Sequence, residues 1–189
     1  MLRLCTRSTA MVLSCELRRG SDLLRDKRKV ARGTNMLIRE ATRQEGLALL
    51  ARTHLGRLGC ARDGQPYVVP FYFSYHDNYL YSFSTVGRKI EWMRLNPLVC
   101  AEADEVVNSQ QWMSVIVTGR YEELPDTPEW KTARTLAHQL LQQKTVWWEP
   151  GYVKTIIHGA ERPLEPVYYR IQIVEITCHR TSPEPGNAG

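Results

Sequence analysis

The sequence predicts an α+β fold, an antiparallel barrel of about six strands with a few helices at its ends, and not a doubly wound sheet. Residues 66–75, PYVVPFYFSY, are rich in β-branched and aromatic types and return after a short turn at 79–84. Residues 167–178, VYYRIQIVEITC, alternate as a long final strand. The helical patterns are few and sit at the ends of the strand runs.

In chain order, Thr42 followed three residues later by Glu45 forms a capping box, and Leu47, Leu50 and Ala51 on one face predict a helix over 42–53. Residues 56–61 lead as a strand into Arg62-Asp63-Gly64-Gln65, an Asp-Gly hairpin turn. Pro70 makes strand 66–75 an edge strand or a bulged one, where a ligand can approach the backbone. His76-Asp77-Asn78 turns the chain into strand 79–84. Gly87 breaks the pattern before a short helix over 88–95, closed by Asn96-Pro97. Residues 98–103 and 112–124 read as two further strands. Thr127, Pro128 at the first helical position and a Leu136, Leu140, Leu141 stripe predict a helix over 127–143. A Gly- and Pro-containing excursion precedes the last strand. The expected organisation is an extension over 1–35, a folded domain over 36–180 and a fraying tail over 181–189.

The 189 residues suffice for one domain with a real core, and 43% hydrophobic with 24% charged residues is an ordinary globular composition. No apolar run approaches the roughly 18 to 20 residues of a membrane-spanning helix. Five cysteines without regular spacing argue against a disulfide scaffold and favour a reducing, cytoplasmic compartment. The formal charge of +5 and the pI near 9.0 invite a nucleic-acid reading, so the position of the charge matters. Residues 1–35 hold nine basic and three acidic side chains, +6, which leaves −1 for the rest of the chain. The basic character therefore belongs to the extension. Its apolar patch Ala10-Met11-Val12-Leu13 is too short for a secretory signal core. A disordered extension ahead of Met36 is the favoured reading; a transit segment comes second and an arm for nucleic acid or another anionic surface third.

Phosphate-loop, dinucleotide-fingerprint and nucleophile-elbow motifs do not occur, and the five histidines share no metal-ligand spacing. The informative segment is 79–97, YLYSFSTVGRKIEWMRLNP. A strand delivers Ser82, Ser84 and Thr85, Gly87 turns the chain, and Arg88-Lys89 open a helix. Two cations in a first turn oppose the helix dipole unless an anion offsets them. Hydroxyls, a guanidinium, an ammonium and free helix-start N–H groups together complement a phosphate.

In this segment, and in LGRLGCARDGQPYVVPFYFSY, WMSVIVTGRYEEL, VWWEPG and VYYRIQIVEIT in that order, the chain resembles the pyridoxamine-5′-phosphate-oxidase-like flavoproteins, the FMN-binding split β-barrel group, in the branch that includes the nitroimidazole-resistance reductases. The resemblance implies a homodimer holding FMN in two interface clefts, acting as an oxidoreductase on a small molecule. It implies that Val68, Val69, Pro70 and Phe71 lie along the isoalloxazine. Ser82, Phe83 and Ser84 would border the ribityl phosphate, Arg88 and Lys89 would clamp it, and Ser114 would reach the flavin. Trp112, Trp147 and Trp148 would wall the substrate side. The histidine that many relatives carry near Ser82 or Phe83 is missing, as is the substrate-phosphate segment of true pyridoxamine-phosphate oxidases, so a vitamin-B6 activity is not expected. No general acid or nucleophile is nominated. The alternatives are a non-enzymatic flavin or haem binder of this fold, and the basic arm as an anion binder.

Overall fold

Tight-turn chemistry sets the first half of the sheet in the computed structural model, which describes residues 36–143, 155–157, 160–162 and 166–183. The expected extension over 1–35, Trp147 and Trp148 lie outside the described residues. Asp63 (φ 50°) and Gly64 (φ 78°) supply the two positive φ angles of a two-residue hairpin between β2 (Leu55–Arg62) and β3 (Gln65–Tyr72). Asp77 (φ 45°) and Asn78 (φ 65°) do the same between β4 (Ser74–His76) and β5 (Tyr79–Thr85). Asn78 also anchors its turn. Its Nδ2 donates to the Ile173 carbonyl and its own carbonyl accepts from the Ile173 N–H, both at 3.0 Å.

The sheet closes on itself because one strand stands at both of its ends. With β6 (Leu98–Asn108), β7 (Gln111–Glu123) and β10 (Pro166–Pro183), the order is β3-β2-β6-β7-β10-β5-β4, and only Phe73 separates β3 from β4. Counting that interrupted strand once gives the six-stranded antiparallel barrel that the sequence predicts. At the seam Ser82 Oγ donates to the Tyr72 carbonyl at 2.6 Å. Pro70 lies on β3, which pairs only with β2 among the described strands, so its missing N–H costs no second ladder bond.

Several elements differ from expectation, among them β6, which runs on from the expected 103 to Asn108. β1 (Met36–Glu40) was not foreseen; it pairs with the end of β10, from Glu40↔His179 to Met36↔Pro183. β10 therefore runs through 181–183, where fraying was expected, because β1 takes the edge of β10 beyond its pairing with β5. α3 begins at Lys131 (Lys131–Gln142) and not at 127, since the Trp130 N–H bonds to the Thr127 carbonyl as a separate turn. In α1 (Arg43–Arg52) the buried face is Gly46, Leu49 and Leu50, and Ala51 is exposed. Within the excursion, β8 (Thr155–Ile157) and β9 (Ala160–Arg162) form a small ribbon.

Alternation along the strands fills two cores. Inside the barrel, Leu58, Phe71, Leu80, Val115 and Tyr169 meet Leu49 of α1 and Ile90 and Met93 of α2 (Arg88–Leu95). On the other face of β5 and β10, Tyr81, Phe83 and Tyr168 pack beneath Ala137 and Leu141 of α3. Each large buried side chain contributes about 1.5–3 kcal/mol.

Glu45 ties α1 to β10. Its Oε2 accepts the Thr42 N–H at 2.8 Å, its own N–H donates to Thr42 Oγ1 at 3.2 Å, and its Oε1 accepts from Arg180 Nη1 at 2.7 Å. The Thr42 N–H first, and the Arg180 guanidinium second, hold the carboxyl down from its ordinary 4.5 to about 2. A depressed folded-state value means that this carboxylate stabilises the protein above about pH 4.5 and loses its contribution as pH falls from there toward 2. Glu45→Gln lacks that component, so the urea midpoints of wild type and variant should draw together between pH 6 and pH 3. A constant gap between them would remove this account of the cap.

Candidate functional site

α2 is pinned by Ile90 and Met93, both fully buried, across one end of the barrel. Its N-cap, Gly87, carries no side chain to accept from the first turn, and the first helical bond is Glu91 N–H to the Gly87 carbonyl at 3.0 Å. The backbone N–H groups of Arg88, Lys89 and Ile90 therefore have no intrahelical acceptor. Arg88 of this turn stands over the Cys60↔Tyr67 rung of the β2–β3 hairpin. Arg88 Cζ lies 5.4 Å from the Tyr67 ring centroid, and Tyr67 in turn lies 5.5 Å from Trp92. Burial pushes the Cys60 thiol up, and the charge of Lys89 beside it partly offsets that shift. A guanidinium, an ammonium and the positive end of a helix thus converge beside the start of strand 68–71.

Of the residues expected on β3, Val68 and Pro70 face outward and Val69 and Phe71 face the core, with Val68 64% exposed and Phe71 2%. The edge of β3 away from β2 is open among the described strands, so its backbone can meet a planar ligand. Ser82 and Ser84 share the inward face of β5 with Leu80 and are buried. Phe83 points the other way, 5.7 Å from the Tyr168 ring. β5 therefore delivers the Thr85–Gly87 backbone to the α2 start, while the Ser82 hydroxyl closes the barrel seam. Ser114 is not gathered with these residues. The pairing Pro70↔Arg57, Arg57↔Glu102, Glu102↔Ile116 connects β3 to β7 across three strand spacings, and Ser114 lies two residues further along. That is roughly 7 Å along the strand beyond three spacings of about 4.8 Å. Trp112, beside Ser114, is half-buried.

Tyr67 and Trp92 went unnoticed in the sequence, where their only signal is aromatic type one rung or one turn from the cations. A cavity also escaped it. On the opposite flank of α2 a space of about 390 Å³ is bordered by Val86, Arg94, Asp126, Arg134, Pro166 and Tyr168, drawn from separate chain segments. Arg94 is ion-paired there, its Nε and Nη2 donating to the Glu123 carboxylate at 2.8 and 2.7 Å, which holds that carboxyl below its usual range. Arg134 donates from Nη1 to the Leu124 carbonyl at 2.8 Å and stacks 4.8 Å from the Tyr168 ring centroid.

The α2 start fits the phosphate of a flavin nucleotide by charge and by helix-start N–H groups that have no intrahelical acceptor, and the β3 edge fits its ring. A family model described as pyridoxamine 5′-phosphate oxidase matches residues 42–180. An uncharacterised protein of Rhizobium meliloti strain 1021 is 40% identical over 142 residues, 75% of this chain and 94% of that one. Among solved structures, an FAD-binding protein of Mesorhizobium loti is 42% identical, with a TM-score of 0.65 over 78% of this chain and 99% of that one. A candidate pyridoxamine 5′-phosphate oxidase of Corynebacterium glutamicum is 25% identical, with a TM-score of 0.55 over 76% and 98%. An FAD-binding protein of Mycobacterium smegmatis shares the fold at 20% identity, with a TM-score of 0.56 over 75% and 97%.

Proposed function

Because the chain belongs to the pyridoxamine 5′-phosphate oxidase family, matched over residues 42–180, we propose that it is a flavoprotein oxidoreductase that holds FMN, or the FMN half of a larger flavin, at the start of α2. The observation that carries this reading is Arg88 and Lys89 together at an uncapped helix start, with Arg88 over the Tyr67 ring. Arg88 and Lys89 bind the phosphate, and Tyr67 orients the Arg88 guanidinium. The open backbone edge of β3, with Val68 and Pro70 outward, orients the ring. When bound, the flavin supplies the hydride or electron transfer, so the chain needs positioning and charge more than an acid–base pair.

A second copy of the chain completes the site in this reading. Val68, Leu98 and Ile116 expose 64%, 61% and 42% of their surfaces on the outward face of β3, β6 and β7, a row suited to a homodimer interface. Glu102 stands on that face beside Arg57, its carboxyl pushed up first by burial and further by Asp104. Ser114, remote from β3 in one protomer, would then serve the flavin of the partner.

FMN is the group that the sequence resemblance implies, whereas the Mesorhizobium loti relative is described as FAD-binding. The α2 site serves the half that both share. The test is an absorption spectrum of the purified protein, identification of the released chromophore by mass, and light scattering. A yellow protein yielding FMN or FAD at twice the 21.8 kDa chain mass is expected. A colourless protein that refuses both flavins would overturn the reading.

A further inference from the structure

We propose that the cavity beside α2 takes the adenylate half of FAD, so that the chain selects the dinucleotide over FMN; this rests on the flavin reading above. The cavity and the phosphate site flank one point of the chain. Val86, which borders the cavity and is 51% exposed, immediately precedes Gly87, the N-cap of α2. Arg88 and Arg94 stand about 120° apart around the helix at 3.6 residues per turn, one toward β3 and the other toward the cavity. A pyrophosphate laid over the helix start therefore has the FMN phosphate on the Arg88 side. Its second phosphate, one bridging oxygen away, lies on the Val86 side. The positive helix end serves both phosphates.

The size and lining of the cavity suit the nucleoside attached to the second phosphate. Its roughly 390 Å³ lies within the range of small-ligand sites, large enough for a nucleoside and too small for a second flavin ring system beside it. Apolar walls from Val86, Pro125 and Pro166 suit the faces of a planar base. The two arginines are not equivalent. Arg94 is neutralised by its two-bond fork to Glu123, so it adds little attraction for an anion. Arg134 spends one of its five N–H donors on Leu124 and faces no carboxylate partner among the described residues, so it is the cation placed for the adenylate phosphate. Asp126, on the same rim, is an acceptor for the ribose diol or the base amine.

The test compares FMN and FAD dissociation constants by flavin-fluorescence titration of the full chain. Wild type should bind FAD at least about tenfold more tightly than FMN. Val86→Trp fills the cavity mouth from an exposed position and should remove that preference while leaving FMN affinity within about twofold. Arg134→Gln should reduce the preference partially, with circular dichroism verifying that both variants fold. Equal affinities in wild type, or a preference that survives Val86→Trp, overturns the proposal. Equal weakening of both flavins by Val86→Trp also overturns it, because the cavity would then belong to the FMN half. Binding of AMP to FMN-loaded protein, without an FAD preference, would assign the cavity to a free nucleotide instead. Failure of wild type to bind either flavin is a different result, which removes the flavin reading itself.

Discussion

Replacing Arg88 and Lys89 together by alanine lowers FMN affinity by about a hundredfold to a thousandfold, at roughly 1.5–3 kcal/mol for each charge-assisted bond to phosphate with incomplete additivity. Riboflavin, which shares the ring and lacks the phosphate, binds wild type and variant alike. That contrast separates loss of a phosphate clamp from general damage to the site. Arg94→Ala on the same helix is the control. Its guanidinium is already occupied by Glu123, so FMN affinity should stay within about twofold, and stability should fall by no more than about 1 kcal/mol, as for an exposed ion pair. Fluorescence titrations of the three proteins with both ligands decide the matter. If riboflavin weakens in parallel with FMN, or if Arg94→Ala matches the Arg88-Lys89 variant, the phosphate lies elsewhere.

Gly56→Ala destabilises the fold by about 2 to 3 kcal/mol, the upper range for overpacking a tight core. A Cβ at Gly56 would stand 2.5 Å from the Glu102 carbonyl oxygen and 2.9 Å from Phe71 Cε1. The carbonyl belongs to β6, next to the Arg57↔Glu102 pair, so it cannot retreat without opening that ladder. Phe71 is stacked on Phe73 at 5.1 Å, so its ring has nowhere to turn. The same displacement reaches the β3 edge proposed to meet the flavin, and FMN affinity should fall with stability. Gly59→Ala, further along the same strand, is the matched control. Its Cβ would meet nothing closer than the Cys100 oxygen at 3.5 Å, so a change within about 0.5 kcal/mol is expected. Urea unfolding of both variants tests this, and a cost at Gly56 below about 1 kcal/mol would show that β2 yields.

Local rules made much of the fold legible. Asp63-Gly64 and Asp77-Asn78 each adopt the positive φ pair of a two-residue hairpin, a preference that resides in those residue types. Thr42 and Glu45 form their capping box because both halves lie within one turn. The phosphate candidate was readable for the same reason, since two cations at an uncapped helix start conflict with the helix dipole in any tertiary setting. The β1 strand was not readable, because its five residues carry no strong alternation and are held by the far end of β10, more than 130 residues away in sequence. The face of each β5 residue followed from a period of two, but which face met the barrel and which met α3 did not.

The sequence by itself determined most of the antiparallel elements, their turns and the charge of the α2 start, because these depend on residues within a few positions of one another. Only the tertiary structure decided that Ser82 closes a seam, that Tyr67 supports Arg88, that Ser114 stands apart from β3, and that Val86 and Arg134 share a cavity. Each of those relations joins side chains distant in sequence through strand pairing. The register that brings them together is fixed by burial over the whole barrel and not by any local preference.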